Sequence, residues 1–445
     1  MFKTLRNAFK IKDIRSKLLY TLIALLIVRL GCLIPVPGVN RDYFQLWLNS
    51  TMGDNLGFLD ALTGGSFSEM SIFALNISPY ITSSIIMQLL TIAIPKLEEL
   101  QKDGEDGRKK IAEISRYLTI ALAVIESVAM TIGFNNTNGV LRSGNLLTNI
   151  IVITVSFTAG SAFLMWLGER ITEKGVGNGI SMILLFNIVA KMPSDISNLT
   201  ERFVTGAGSV GMGIVGAVVI VLVIVVTIVL IVLLQDAQRK IAVQYAKKIQ
   251  GRSMVGGQSS FIPLKVNTAG VIPVIFAVSL LQFPIIISSF FGVYGERSTL
   301  WRKILYMFDQ RHWFNFDSFG EFKYTLGAVL YIAMIIFFAY FYTSITFNPM
   351  EIANNMKKQG GFIPGIRPGR PTTEYLNKVL NYIIFIGAIG LTIVAIIPIF
   401  FAGAFGASVN FGGTSLIIVV GVVLETLKQI ESQMLVRHYK GFLND

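Results

Sequence analysis

In 445 residues the chain has one cysteine, Cys32, and two histidines, His312 and His438. A single thiol excludes an intramolecular disulfide framework and a cysteine-rich metal site. Both histidines lie outside the apolar runs, so haem or metal ligation within a membrane has almost nothing to use. Charge is also scarce, at 14% of residues against ~25% in soluble proteins. The apolar runs hold almost no ionisable group: Arg29 and Arg116 lie towards run ends and Glu126 stands alone. An intramembrane enzyme would need histidine, paired acids or a serine dyad there, and a coupled transporter normally needs charged groups at mid-membrane. No segment has the phosphate-cradling G-x-x-x-x-G-K-[ST] spacing. The glycine-rich Gly175-Val-Gly-Asn-Gly179 lacks a preceding strand and reads as a helix-connecting turn. No cofactor or metal is expected.

What is there is apolar surface. Hydrophobic residues make up 53% of the chain and mean hydropathy is +0.64. Gly211 to Leu234 is 24 residues without a charge, which at ~1.5 Å rise per residue exceeds a hydrocarbon core of ~30 Å. The pattern predicts an all-α polytopic membrane protein with ten spans near 18–37, 72–95, 115–134, 147–168, 176–193, 209–234, 268–292, 325–347, 379–402 and 411–428. The first run follows a basic leader. It continues past signal-peptide length without a small-residue cleavage pattern, so it reads as a retained span. The fifth is short and carries Asn178, Ser181 and Asn187, which places it facing the bundle interior. Of the 38 Lys and Arg residues, 28 fall on the N-terminal side of this topology, nine on the other and Arg29 within a span. Both termini are therefore expected in the cytoplasm.

Two connections on that side, about 235–266 and 348–378, are long, basic and not of low complexity. Alternation at Ile241, Val243 and Tyr245 predicts a strand or ribbon in the first. In the second, Gly360-Gly-Phe-Ile-Pro-Gly-Ile-Arg-Pro-Gly369 holds Arg367 at a protruding turn. Their charges fit either retention at an anionic lipid surface or docking of a large anionic partner.

Phe58 to Pro95 has two unlike halves. Phe58 to Ser71 is rich in small residues and carries Asp60 and Glu69, whereas Ile72 to Ile94 is charge-free. A weakly apolar piece feeding into a span reads as re-entrant, tolerated at membrane depth only within protein or beside a watery cavity. Ile77-Ser-Pro-Tyr-Ile81 and Val271-Ile-Pro-Val-Ile275 put a proline in the second span of each set of five. The expectation is a pair of kinks marking a site between two inverted halves, 1–193 and 194–445. Two unrelated kinks are the alternative. Polar candidates for the lining are Asn76, Gln88, Asn178, Asn187 and Gln282. Ile77, Ile81, Ile180 and Ile275 fit a water-excluding constriction as well as ordinary packing.

Several stretches carry a family resemblance: Pro35-Val-Pro-Gly38, Ser71-Ile-Phe-Ala-Leu-Asn-Ile-Ser-Pro-Tyr-Ile81, Met165 to Ser181, Asn267-Thr-Ala-Gly-Val-Ile-Pro273, Phe362 to Gly369 and Phe411-Gly-Gly-Thr-Ser-Leu416. In these, over essentially its whole length, the chain resembles the SecY family of bacterial protein-translocation channel subunits. The resemblance implies two pseudo-symmetric inverted five-helix halves around a central hourglass pore with a re-entrant plug helix. It implies a pore ring of Ile77, Ile81, Ile180, Leu184, Ile275 and Ile418. It implies a plug near 58–71 with Phe58, Leu59, Leu62, Gly64, Gly65, Phe67 and Met70. A lateral gate would use Ser83, Ser84, Gln88, Asn178 and Ile275, and motor or ribosome docking Arg239, Lys240, Lys247, Lys248 and Arg367. The implied partners are SecE-like and SecG-like small membrane subunits, the SecA motor ATPase, the ribosome, signal sequences and nascent polypeptides, and membrane lipids. The implied location is the bacterial cytoplasmic membrane. The implied function is a protein-conducting channel and not an enzyme. A secondary transporter on inverted repeats shares the helix count but would need the mid-membrane charges that are missing.

Overall fold

The computed structural model describes residues 6, 9–51, 60, 62–135, 139–141, 145–206, 210–245, 248–250, 253–255, 259–290, 304, 326–405 and 413–441. Among these, helices follow one another as α1 (Lys12–Gly31), α2 (Arg41–Thr51), α3 (Ser78–Ala93), α4 (Pro95–Lys102), α5 (Glu105–Asn135), α6 (Leu146–Lys174), α7 (Gly179–Thr200) and, after a π-helical turn at Glu201–Thr205, α8 (Val210–Asp236). A ribbon of β1 (Gln238–Tyr245), β2 (Lys248–Gln250), β3 (Ser253–Val255) and β4 (Ser259–Lys265) comes next. Then come α9 (Ile272–Phe290), α10 (Leu326–Thr346), α11 (Pro349–Lys358), β5 (Gly361–Phe362), α12 (Arg370–Phe405) and α13 (Gly413–Gly441). Six helical stretches are long and apolar enough to cross a membrane, and α3 with α4, bent by 101°, makes a seventh. α1, α9 and α13 overlie the other three expected spans.

Helices α5, α6, α12 and α13 run beyond the expected limits, to Glu105, Lys174, Arg370 and Gly441. Hydropathy stops where charge begins, but the i→i−4 hydrogen bonds of a helix do not depend on side-chain polarity and continue past that point. α1 is shifted from its expected limits, starting at Lys12 and ending at Gly31. The chain behind it is extended: the Val36 N–H donates to the Met70 carbonyl and the Ile72 N–H to the Ile34 carbonyl, both at 2.9 Å. Turns fill Ile72 to Ile77, so the helix of the second span begins only at Ser78, and the expected proline kinks are corrected. Pro79 stands in the first turn of α3 and Pro273 is the second residue of α9. A proline there loses no hydrogen bond, because the first helical N–H groups have no partner, and its fixed φ already suits a helix. Three residues before each proline the backbone is left-handed, with φ 50° at Asn76 and 64° at Gly270. The two segments thus share a local design that starts a helix and leaves Ile81 and Ile275 in matching positions. Interior prolines are Pro193 in α7, Pro284 in α9 and Pro398 in α12.

The core divides along the chain. Ala24, Val28, Phe73, Leu164 and Ile183 pack together among the first helices, with a neighbouring group around Phe44, Phe67, Phe134 and Phe157. Val274, Tyr331, Ile335, Phe338, Leu391 and Leu416 pack among the later ones, and Ile85 of α3 joins them. The two basic connections form one module. β1 is the centre of the sheet β4-β1-β5, antiparallel on both sides, with Ile241 opposite Ile262 and Gln244 opposite Phe362. Ile241 and Val243 point into a shared core with Ala353, Met356, Ile363 and Leu376. The predicted alternation is present, and its buried face is covered by the second connection.

Candidate pore and plug

The implied ring residues come from the starts of four helices, α3, α7, α9 and α13. Ile77 caps α3 and is fully buried, and Ile81 lies one turn on. Ile180 and Leu184 follow the Asn178 cap of α7, whose side chain accepts from the Ile180 N–H (3.1 Å) and the Ser181 N–H (3.4 Å). Ile275 follows Pro273, and Ile418 lies in the second turn of α13, 1% exposed. Ile81, Leu184, Ile275 and Ile418 share one apolar cluster with Leu62. Ile77 and Ile180 share another with Ile81. Ile81 joins the two clusters, so all six side chains form a continuous apolar contact with Leu62 against it.

Leu62 is the first of the named plug residues to be described, since Phe58 and Leu59 lie outside the described residues. From Thr63 to Met70 the chain folds on itself. Ser66 Oγ donates to the Thr63 carbonyl (2.8 Å) and to the Phe73 carbonyl (3.0 Å), and Ser68 Oγ donates to the Gly65 carbonyl at 3.0 Å. Phe67 sits edge-on to Phe44 of α2, centroids 5.8 Å apart, and Met70 is buried beside it. Gly65 is half-buried in a left-handed turn, with φ 84°.

Charges fasten this turn to three helices. Lys191 of α7 is 2.7 Å from Asp60 Oδ2, and the Ser68 N–H donates to Asp60 Oδ1 at 3.1 Å. Arg29 of α1 donates to the Gly64 carbonyl at 2.8 Å. Arg41 of α2 pairs with Glu69, to which Gln45 also donates, at 3.3 Å. Asn76 Nδ2 donates to the Leu62 carbonyl at 2.7 Å. These fasteners were not legible in the sequence, because Asp60 and Lys191 are far apart in it and only the fold joins them. The lone Arg29 within a span was the one available signal.

The implied gate residues are divided. Ser83 is fully buried and bonds to the Ser115 carbonyl of α5 at 2.7 Å, so its hydroxyl is directed into the first set of helices and not towards α9. Ser84 accepts from Gln88 Nε2 at 3.4 Å, and Gln88 Oε1 is buried without a partner. Asn178 serves as the α7 cap. Ile85 is the α3 side chain packed with Val274, Ala277, Val278 and Leu281 of α9. The side chain of Gln282 lies outside the described residues.

On the module, Arg239 and Lys240 are exposed, with Lys240 Nζ 4.9 Å from the Phe261 ring centroid. Arg367 is exposed on a turn whose backbone is fixed, its carbonyl accepting from the buried Thr372 hydroxyl at 2.9 Å. Lys247 and the side chain of Lys248 lie outside the described residues. No group of three potential metal-ligating side chains occurs among the described residues.

A bundle of apolar helices around an apolar junction of branched side chains, with a turn-rich segment fastened against it, defines a helical membrane channel. Solved structures have this fold. One described as a protein conducting channel superposes with a TM-score of 0.64 at 17% identity, covering 94% of this chain and 92% of that one. Sec61 in a canine ribosome-channel complex gives 0.60 at 16% identity, with the same coverage. The family model for SecY matches residues 71–427. The protein translocase subunit SecY of Bacillus subtilis is 45% identical over 450 aligned positions, and that of Halalkalibacterium halodurans 44% over 447, each alignment covering both chains completely. The chain belongs to the SecY family.

Proposed function

We infer that this chain is the pore subunit of a protein translocase, a channel that carries unfolded secretory polypeptides across the cytoplasmic membrane and releases hydrophobic segments sideways into it. One observation carries the reading: Ile81, Leu184, Ile275 and Ile418, drawn from both ends of the chain, meet in a single apolar cluster capped by Leu62. A ring of branched aliphatic side chains offers ions no hydration partner, so the resting conduit resists leak, yet it yields to an extended chain. We take the two halves as 1–193 and 194–445, inverted and five helices each. Ile77 and Ile180 complete the ring, and 58–71 acts as the plug.

Lateral release follows from solvation. A segment rich in Leu or Ile gains tenths of a kcal/mol per residue in lipid and leaves between α3 and α9, past Ile85, Ser84 and Gln88. A polar segment continues through. The driving force comes from outside, because the chain has no phosphate-cradling motif. The β-module with Arg239, Lys240 and Arg367 is the proposed seat for a motor ATPase or a ribosome on the cytoplasmic side, where both termini lie. The ribosome-channel complex among the structural neighbours supports this assignment. SecE-like and SecG-like subunits complete the assembly. The test is reconstitution: vesicles holding the complex with its motor and ATP should protect an added preprotein from external protease. Protection that is equally absent with and without the complex would refute the function.

A further inference from the structure

Two buried amides lie between the ring and the plug, and the channel reading gives them no task. Asn187 lies one turn beyond Leu184 on α7 and is 1% exposed. Neither its Nδ2 nor its Oδ1 has a hydrogen-bond partner among the described residues. It lies directly under the plug, since a Cβ built on Gly64 would come within 3.0 Å of its Cα and Cβ. Asn76 precedes Ile77 and is 2% exposed. Its Nδ2 is held by the plug's Leu62 carbonyl, and its Oδ1 has no partner. Buried amides without partners are rare in folded proteins, because each gives up hydration and gains nothing in return.

We propose that Asn187 and Asn76 form a binding site for the backbone of the translocating polypeptide on the plug side of the ring. When the plug leaves, the cover over Asn187 and the Leu62 carbonyl on Asn76 leave with it. Both amides then present a free donor and a free acceptor next to the dry ring. An extended chain emerging from the ring presents backbone N–H and C=O groups at every residue, whatever its sequence. A primary amide side chain matches both groups and discriminates against no side chain, as a conduit for arbitrary sequences requires. The seated plug leaves the Asn187 amide and the Asn76 Oδ1 unsatisfied, so the site favours an occupied conduit over an empty one. The inference rests on the reading of this chain as a polypeptide conduit.

The test uses the complete complex with Cys32→Ala, reconstituted in vesicles, and a stalled preprotein carrying single cysteines at successive positions. Asn187→Cys should form disulfides with whichever substrate cysteine halts at this depth, in preproteins of unrelated sequence. Ile81→Cys should do the same in the ring. Crosslinking at position 81 with none at 187 overturns the amide site and leaves the channel standing, whereas silence at both overturns the channel reading itself. A second arm removes the amides alone. Asn76→Gly keeps the left-handed backbone, and Asn187→Leu keeps the volume. With the motor removed, each should speed backward sliding of the stalled chain on the order of fivefold. Sliding at the unchanged rate, with only resting ion leak altered, would reduce the amides to part of the plug seat and overturn the proposal.

Discussion

Gly64 is the tightest point of the plug. Its φ of 66° is strained for any residue with a side chain, and a Cβ there meets the α7 backbone at Asn187. Gly64→Ala should therefore unseat the plug and raise resting ion leak with the ring intact, measured as conductance across a planar bilayer. Lys191 makes the more buried of the two ion pairs at the plug. Its removal leaves Asp60, whose side chain is 10% exposed, without its cation. In buried pairs that loss costs ~3 kcal/mol or more. Lys191→Ala should leak more than the double variant with Asp60→Asn, since the second change removes the stranded charge. Equal leak in the two would contradict the latch. At this scale the sequence was partly legible. Ring positions follow from the motifs, because two prolines and an asparagine cap set where three helices start. The fasteners were illegible, because a salt bridge between a loop and a distant helix has no local pattern. Ser83 illustrates the limit: its polarity is plain, but only packing shows that it faces α5.

Among elements, the β-module combines two connections that look independent in sequence. Period-two alternation exposed β1, but two-residue β5 has too few positions to show any period, so its pairing with β1 was illegible. Val243 is 1% exposed at the join, packed among Met356 and Ile363. Val243→Asp should loosen both connections together, so that limited proteolysis cuts 235–266 and 348–378 at similar accelerated rates. Acceleration in one alone would argue against a joint module. Arg367→Glu leaves this packing untouched. It should depress motor-driven secretion more than insertion of ribosome-delivered membrane proteins, compared in the same vesicles. The expectation of kinked spans failed for an element-level reason: sequence places a proline near an apolar run but does not say which turn of the helix it occupies. Left-handed Asn76 and Gly270 were the clue that a new helix starts there.

For the whole molecule, hydropathy located the seven stretches long and apolar enough to span, and helices also stand on the other three expected segments, since membrane solvation demands a minimum length whatever the packing. It did not reveal how their ends converge. That convergence is long-range, joining residues 81, 184, 275 and 418 with residue 62. The proposed seal is this convergence, and its conductance is the most direct test. In planar bilayers the complete complex should be nearly silent at rest. Replacing Ile81, Ile275 and Ile418 together by serine should give a sustained ion current without any polypeptide substrate. A triple variant as silent as the parent would contradict the account.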